Sequence, residues 1–354
     1  MKYFNKKVNT FLTFILGCIF LFSGVVKGID PFGTSLKIHE YLNLFHLDML
    51  NGYSEVFSVV LCAMEIFLGL LLAFRIFRKT SIIMLLTIMS VFTVITAILV
   101  FDPYSYISDC GCFGDAVHLS RTETFLKNVI ILLVVIYCCI SEFTLHNIQK
   151  PNTKKRNLFF AVYFILGAIA LPVYSLEYLP PMDFLGYNLG TNLIEKKGFY
   201  IAGTKGTFLK DSLLNCNKYK FAVVNRRPLT VKEKQNLNDV KDYCKRHKIE
   251  CLVLKSYSSE DILSGYFVDD VTLKSVIRDR NGLILIKDGI IKGKWTLKHK
   301  IINKNRDGNI MKLIKRQKAK FPIYLVIILI YLSLPIVFFA GINKSIIELS
   351  KNKK

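Results

Sequence analysis

Six apolar runs decide what this chain can become. They lie at about 8–26, 53–74, 81–101, 124–145, 157–176 and 322–341. A helix needs ~20 mostly apolar residues to cross a bilayer, and each run is long enough. The sequence therefore predicts a polytopic membrane protein. Composition agrees: 52% of the 354 residues are hydrophobic, and the mean hydropathy is +0.38. The net charge is +22. In a soluble protein that charge would point to nucleic acid. Here many charges lie between apolar runs, so the lipid bilayer and its anionic headgroups are the expected partner, and nucleic acid is not.

The first run resembles a signal peptide, because Lys6 and Lys7 precede it, and Ile15-Leu16-Gly17-Cys18 resembles a lipoprotein cleavage box. The apolar stretch continues through Ile19 to Phe22, past that cut, so an uncleaved span is expected. Lys/Arg bias sets the orientation. Lys2, Lys6 and Lys7 precede the first span. Arg75, Arg78 and Lys79 follow the second, and Lys150, Lys154, Lys155 and Arg156 follow the fourth. Lys344, Lys351, Lys353 and Lys354 close the chain. With six spans all these groups fall on one side. Both termini are then cytoplasmic, and region 177–321 is periplasmic, in a bacterial inner membrane. The cluster Lys312, Lys315, Arg316, Lys318 and Lys320, just before the last span, runs against this arrangement.

The expected fold is mostly α. Residues 1–148 form a four-helix transmembrane bundle, 149–178 a connector and fifth span, 179–320 an α/β soluble domain, and 321–354 the sixth span with a basic tail. Within the soluble domain, Lys220–Asn225 and Glu250–Leu254 read as strands, with a helix over Thr230–Lys248 between them. A short helix over 270–277 follows. Two apolar runs around Lys287-Asp288-Gly289 then read as a hairpin. Strand, helix, strand, helix, hairpin is the order of a thioredoxin-like domain. A further hairpin near 198–209 is expected before it.

The stretch Asp109-Cys110-Gly111-Cys112-Phe113-Gly114-Asp115 carries the chemistry. Two cysteines outside the membrane lie in a compartment that permits disulfides. A Cys-x-Cys disulfide closes a very small ring, whose non-ideal geometry favours exchange over bracing. Four readings stay open: a redox pair, a loop staple or a link to the soluble domain, metal ligation through Asp109, Asp115 or His118, and two idle thiols. Asp109 and Asp115 disfavour a thiolate, since nearby negative charge raises its pKa.

Four segments carry a family likeness. The first span ends Phe20-Leu-Phe-Ser23-Gly24-Val-Val-Lys27-Gly-Ile-Asp30-Pro31, and the second holds Cys62-Ala-Met-Glu65-Ile-Phe-Leu-Gly69. Cys110-Gly-Cys112-Phe-Gly114 precedes Thr124-Phe-Leu-Lys127-Asn128 at the start of the fourth. Over about residues 8–146 this resembles the DoxX-like family, and within it the MauE type linked to methylamine utilisation. The resemblance implies a four-helix membrane bundle tied to disulfide handling or to electron exchange with quinone. The soluble region resembles the degenerate thioredoxin-like tail on Bacteroidetes members of this group.

Glu65 is an ionisable residue near mid-membrane, where such groups are costly and often functional. Proton handling, an ion pair with Lys27 and a hydrogen bond to Ser23 all remain open. Cys18, Cys62 and Cys138-Cys139 read as buried apolar fillers. Cys138 lies ~20 Å along its helix, too far for exchange with Cys112. The soluble domain has no Cys-x-x-Cys, and Arg280-Asn281-Gly282 stands where a thioredoxin places a proline before its hairpin. Cys216 is its one candidate exchange partner for the loop pair.

The first functional reading is a membrane thiol–disulfide oxidoreductase. Cys110 and Cys112 exchange with an extracytoplasmic protein thiol, with quinone as the candidate electron terminus and no metal. The second is a non-enzymatic scaffold or assembly factor, whose soluble domain binds partners and whose Cys pair is a staple. A small-molecule transporter has only Glu65 in its favour.

Overall fold

The structure is a computed structural model. It describes residues 2–102, 107, 110–117, 119–144, 152–203, 213–214, 217–256, 264–302 and 310–318, and the isolated positions 326 and 331. Residues 1–308 form one compact unit and 309–354 a second. In the second, the described segment is mainly a helix, α9 (Ile310–Lys318). The expected sixth span lies outside the described residues.

Among the described residues, five helical segments are long and apolar enough to cross a membrane: Lys6–Ile29, Asp48–Ala73, Arg78–Phe101, Arg121–Thr144 and Lys155–Tyr178. They fall within α1 (Lys2–Ile29), a 3-10 turn (Asp48–Tyr53) leading into α3 (Ser54–Ala73), α4 (Arg78–Phe101), α5 (Arg121–Thr144) and α6 (Asn152–Tyr178). Leu16 and Phe20 of α1, Leu68 and Leu72 of α3, Leu85 and Met89 of α4, and Val135 and Cys138 of α5 meet in one core. The filler expectation fits Cys62 and Cys138, which are buried, but Cys18 is exposed on the outside of α1. It lies on a different face of the helix from Gly17, which packs on α3.

Helices α1 and α3 approach closely because glycines let them. A Cβ on Gly24 would sit 2.6 Å from the backbone nitrogen of Ile66, and one on Gly69 would lie 2.5 Å from that of Leu21. Small residues at such crossings bring backbones together within a membrane. The approach places Ser23 and Lys27 of α1 beside Glu65 of α3.

The link after the first span is helical. α2 (Pro31–Leu44) starts with Asp30 as N-cap, its carboxylate accepting from the Gly33 N–H at 3.0 Å, and with Pro31 in the first turn.

The soluble part of the first unit is a small mixed sheet, in the order β4-β3-β2-β5-β6. Its strands are β2 (Lys220–Asn225), β3 (Glu250–Lys255), β4 (Tyr266–Phe267), β5 (Asn281–Lys287) and β6 (Ile290–Thr296). β2 runs parallel to β3, β3 parallel to β4, and β5 antiparallel to both β2 and β6. α7 (Val231–Arg246) opens with a capping box between Thr230 and Glu233. It buries Leu237, Val240 and Tyr243 against the sheet domain's core. Both faces of β2 are covered: Ala222 and Val224 join the main core, while Phe221 packs on Tyr243 and Trp295. That explains its unbroken apolar run. The β5–β6 hairpin turns at Asp288 and Gly289, both at positive φ, as a tight two-residue turn requires. In the region of the expected hairpin near 198–209, residues 198–203 instead make a single antiparallel bridge, Ala202 to Phe267. Residues 204–210 lie outside the described residues.

Candidate functional site

The candidate site is the segment leading into β1 (Cys112–Asp115). Cys110 and Cys112 are joined in a disulfide, their Cα atoms 5.4 Å apart. Gly111 between them has φ +63°, a conformation that other residues adopt only at a cost. Its bare Cα also admits the Lys37 stem of α2, whose Cγ would lie 2.9 Å from a Cβ. Gly114 N–H donates to the Gly111 carbonyl at 2.9 Å and closes the turn. The Tyr41 hydroxyl, also from α2, donates to the Cys110 carbonyl at 3.0 Å. Cys110 is only 8% exposed, whereas Cys112 is half-buried. The backbone N–H of Cys112 points at Cys110 Sγ, 3.1 Å away.

Beneath the loop lies a polar network. Ser23 Oγ is 2.8 Å from the Cys112 carbonyl and 2.7 Å from Glu65 Oε2. Lys27 Nζ is 2.5 Å from Glu65 Oε1, and both side chains are almost fully buried. The structure thus contains both local partners foreseen for Glu65. Ser23 has one proton and two facing acceptors, so it donates to one of them at a time. Beside the loop, the Phe113 ring packs 6.0 Å from that of Phe22 and carries the Lys127 ammonium 4.4 Å from its centroid.

The soluble domain presses one corner onto this loop. Arg278 follows the short helix α8 (Asp270–Val276) and is 5% exposed. Its Nε and Nη2 lie 2.6 and 2.5 Å from Asp30 Oδ2, and Nη2 also meets the Asp115 carboxylate. Burial alone would lower the Arg278 pKa, but Asp30 and Asp115 outweigh it, and the guanidinium stays charged. Burial pushes the Asp30 carboxyl up, against the opposing pull of Arg278. Asp115 was expected to work against a thiolate. Its charge instead faces Arg278, which offsets much of that repulsion. Further contacts secure the same docking. Arg280 donates to Glu55 at 2.8 Å, and Arg226 lies 5.7 Å over the Phe32 ring.

Of the sequence-predicted residues, Cys110, Cys112 and Glu65 are brought into one continuous network, while Cys216 lies outside the described residues. Asp109 and His118 also lie outside them. Among the described residues, no group of three or more His, Cys, Asp or Glu side chains could hold a metal. Under the loop, Ser23, Lys27 and Glu65 hydrogen-bond or pair with one another and with the loop backbone. Sequence reasoning missed Lys37, Tyr41 and Arg278. Arg278 stands 248 residues from Asp30 and 163 from Asp115 and carries no local motif. The Asp30-Pro31 pair is a helix-start signal, but it does not disclose the arginine.

Two comparisons bear on this arrangement. Residues 5–141 match the family described as Methylamine utilisation protein MauE. The matched stretch covers α1 to α5 and includes both loop cysteines, Ser23, Lys27 and Glu65. The chain is also similar to Protein TlpB of Flavobacterium psychrophilum, 25% identical over 215 residues, which is 58% of this chain and 53% of that protein. The chain thus spans about half the length of this curated relative. No solved structure matches. With five apolar helices and the MauE match, the chain is a multi-pass membrane protein.

Proposed function

We propose that this protein is a membrane thiol–disulfide oxidoreductase of a bacterial inner membrane. In this reading both termini are cytoplasmic, the soluble domain is periplasmic, and Cys110–Cys112 exchanges with a client protein's thiols. The observation that carries it is the disulfide seated between a buried Ser23–Glu65–Lys27 network and a backbone N–H aimed at Cys110 Sγ. The Lys/Arg bias of the connections supports the orientation. The strand order β3-β2-β5-β6, with one parallel pair and a terminal hairpin, supports a thioredoxin-like reading of the soluble domain.

The exchange is written on the chain's own atoms. A client thiolate attacks Sγ of Cys112, the more exposed residue of the pair. A client–Cys112 bond forms, the Cys110–Cys112 bond breaks, and Cys110 leaves as a thiolate. The Cys112 N–H donates to that developing charge, and a better-stabilised leaving thiolate leaves faster. A second client thiolate attacks the client sulfur of the mixed disulfide and releases Cys112. The client gains one disulfide, and Cys110 and Cys112 gain two electrons and two protons. Ser23 donates to the Cys112 carbonyl or to Glu65, one at a time, and so ties the loop to the bundle.

Alkylation with a thiol-reactive mass tag, before and after reduction, tests the proposal in cells. The pair should be protected before reduction and tagged after it. Two free thiols in oxidising cells would sink it. A second reading, a scaffold with a stapled loop, draws on the burial of Cys110 and the missing Cys-x-x-Cys. Cys110→Ser with Cys112→Ser separates the two. Loss of function at unchanged abundance and melting temperature supports redox, and loss of stability alone supports the staple.

A further inference from the structure

A cleft of about 450 Å³ opens between α2 and the docked corner of the soluble domain. One wall is α2, with Lys37, His39 and Glu40. The other is α8 and the β2–α7 turn, with Lys274, Arg226 and Arg227. Arg278 and Asp115, the contact that docks the domain, also line it. Two lining residues, Lys37 and Asp115, connect this cleft to the disulfide loop. Lys37 forms part of its wall, and the stem of that lysine packs against Gly111, between the two cysteines.

The charges do not balance. Five Lys and Arg side chains line the cleft against three carboxylates, Glu40, Asp115 and Asp270. Asp270 serves two cations, Arg226 at 3.1 Å and Lys274 at 2.8 Å. Glu40 holds Lys37 at 3.0 Å, and Asp115 faces an arginine that already holds Asp30. That leaves Arg227. Its backbone N–H donates to Asn281, but its exposed guanidinium has no hydrogen-bond or ion-pair partner among the described residues. Burial lowers the Arg226 pKa, and the like charges of Arg227 and Arg278 push it the same way. Negative charge in the cleft would relieve that repulsion.

We infer that this cleft receives an acidic segment of the client protein and so brings the client's cysteine onto Cys112. The inference rests on the redox reading above and names the chemistry of its substrate. Two features favour a peptide segment carrying several carboxylates. The cations come from three separate elements, α2, the β2–α7 turn and α8, so they suit acidic groups spaced along a chain. The cleft also reaches Asp115, the last residue of the strand that begins with Cys112, so a segment lying in it holds a nearby thiol within a few residues of the reacting sulfur. The bonds broken and formed are those of the exchange already written.

The test uses the full-length protein in lipid nanodiscs and three synthetic peptides. Each carries the same Cys-x-x-Cys core, with acidic, neutral or basic flanks. Reduction of Cys110–Cys112 is followed by mass-tag shift. At low salt the acidic peptide should react about tenfold or more faster than the neutral one, and the basic peptide slower. The gap should narrow as salt shortens the Debye length to about 8 Å at physiological ionic strength. In Arg227→Glu, checked for an unchanged melting temperature, the acidic-to-neutral ratio should fall toward one, while the basic-to-neutral ratio rises. Equal rates for the three peptides on the wild type would overturn the cleft proposal and leave the exchange reading standing. If no peptide reduces the pair, the exchange reading fails and the cleft proposal with it.

Discussion

Arg278→Ala removes the cation that two carboxylates share. Wild-type Arg278 reaches Asp30 at 2.5–2.6 Å and also touches Asp115, and the side chains of Arg278 and Asp30 are 5% and 6% exposed. Breaking such a buried pair costs about 3–5 kcal/mol, because the carboxylates stay buried without their partner. At 1.4 kcal/mol per tenfold, the lower figure raises the open population of the docked corner about 100-fold. Asp115 closes β1, which begins at Cys112, so opening frees the disulfide loop. The assay is reduction of Cys110–Cys112 by an uncharged dithiol, read by mass tagging. The rate should rise on the order of 100-fold if reduction proceeds through local opening. The defect should also depend on pH. Burial already raises the Asp30 pKa, and losing Arg278 raises it further. A carboxyl whose folded pKa is raised loses stability as pH climbs from the ordinary Asp value, about 3.9, to the folded one. The variant should therefore be least impaired in acid and worsen with rising pH up to that folded value. Arg280→Ala is the control. Its pair with Glu55 is 44% exposed on the arginine side and should contribute at most about 1 kcal/mol. If the Arg278 and Arg280 variants behave alike, Arg278 does not hold the loop.

Glu65→Gln should remove the carboxylate that pairs with buried Lys27, costing about 3–5 kcal/mol in denaturation of the detergent-solubilised protein. Lys27→Met combined with Glu65→Gln should recover much of that loss, and a strictly additive double variant, judged against the two single variants, would contradict the pairing. Gly24→Val should prevent correct assembly of α1 on α3, seen as loss of monodisperse protein on size exclusion, because its Cβ meets the Ile66 backbone at 2.6 Å. Asp270 titrates below the ordinary Asp range. Burial raises its pKa, but Lys274 and Arg226 together outweigh that. Its contribution is present above the unfolded value and fades as pH falls through the folded one, so Asp270→Asn should flatten the acid limb of the stability profile.

The bundle and the sheet were largely legible in the sequence, because their signals are local. Apolar runs of membrane length, the Thr230–Glu233 capping box and the Asp288-Gly289 turn each act within one element. The two cysteines were legible for the same reason, being one residue apart on a loop rich in glycine. α2 was not recognised, since Pro31-Phe32-Gly33 offers only a cap and a proline, with no clear apolar stripe.

By itself the sequence determined that the chain spans a membrane several times, carries a small mixed α/β domain, and presents Cys110 and Cys112 beside each other. Only the tertiary structure decided what surrounds that pair. The close crossing of α1 and α3 brings Ser23, Lys27 and Glu65 under Cys112. The docking of the sheet domain carries Arg278 to Asp30 and Asp115, and sets Arg227 in a cleft shared with Lys37, whose stem packs on Gly111. Hydrophobic periodicity and turn chemistry act over a few residues and can be read from the chain. A charge finds its partner through the packing of whole elements, and no spacing within the sequence records that distance.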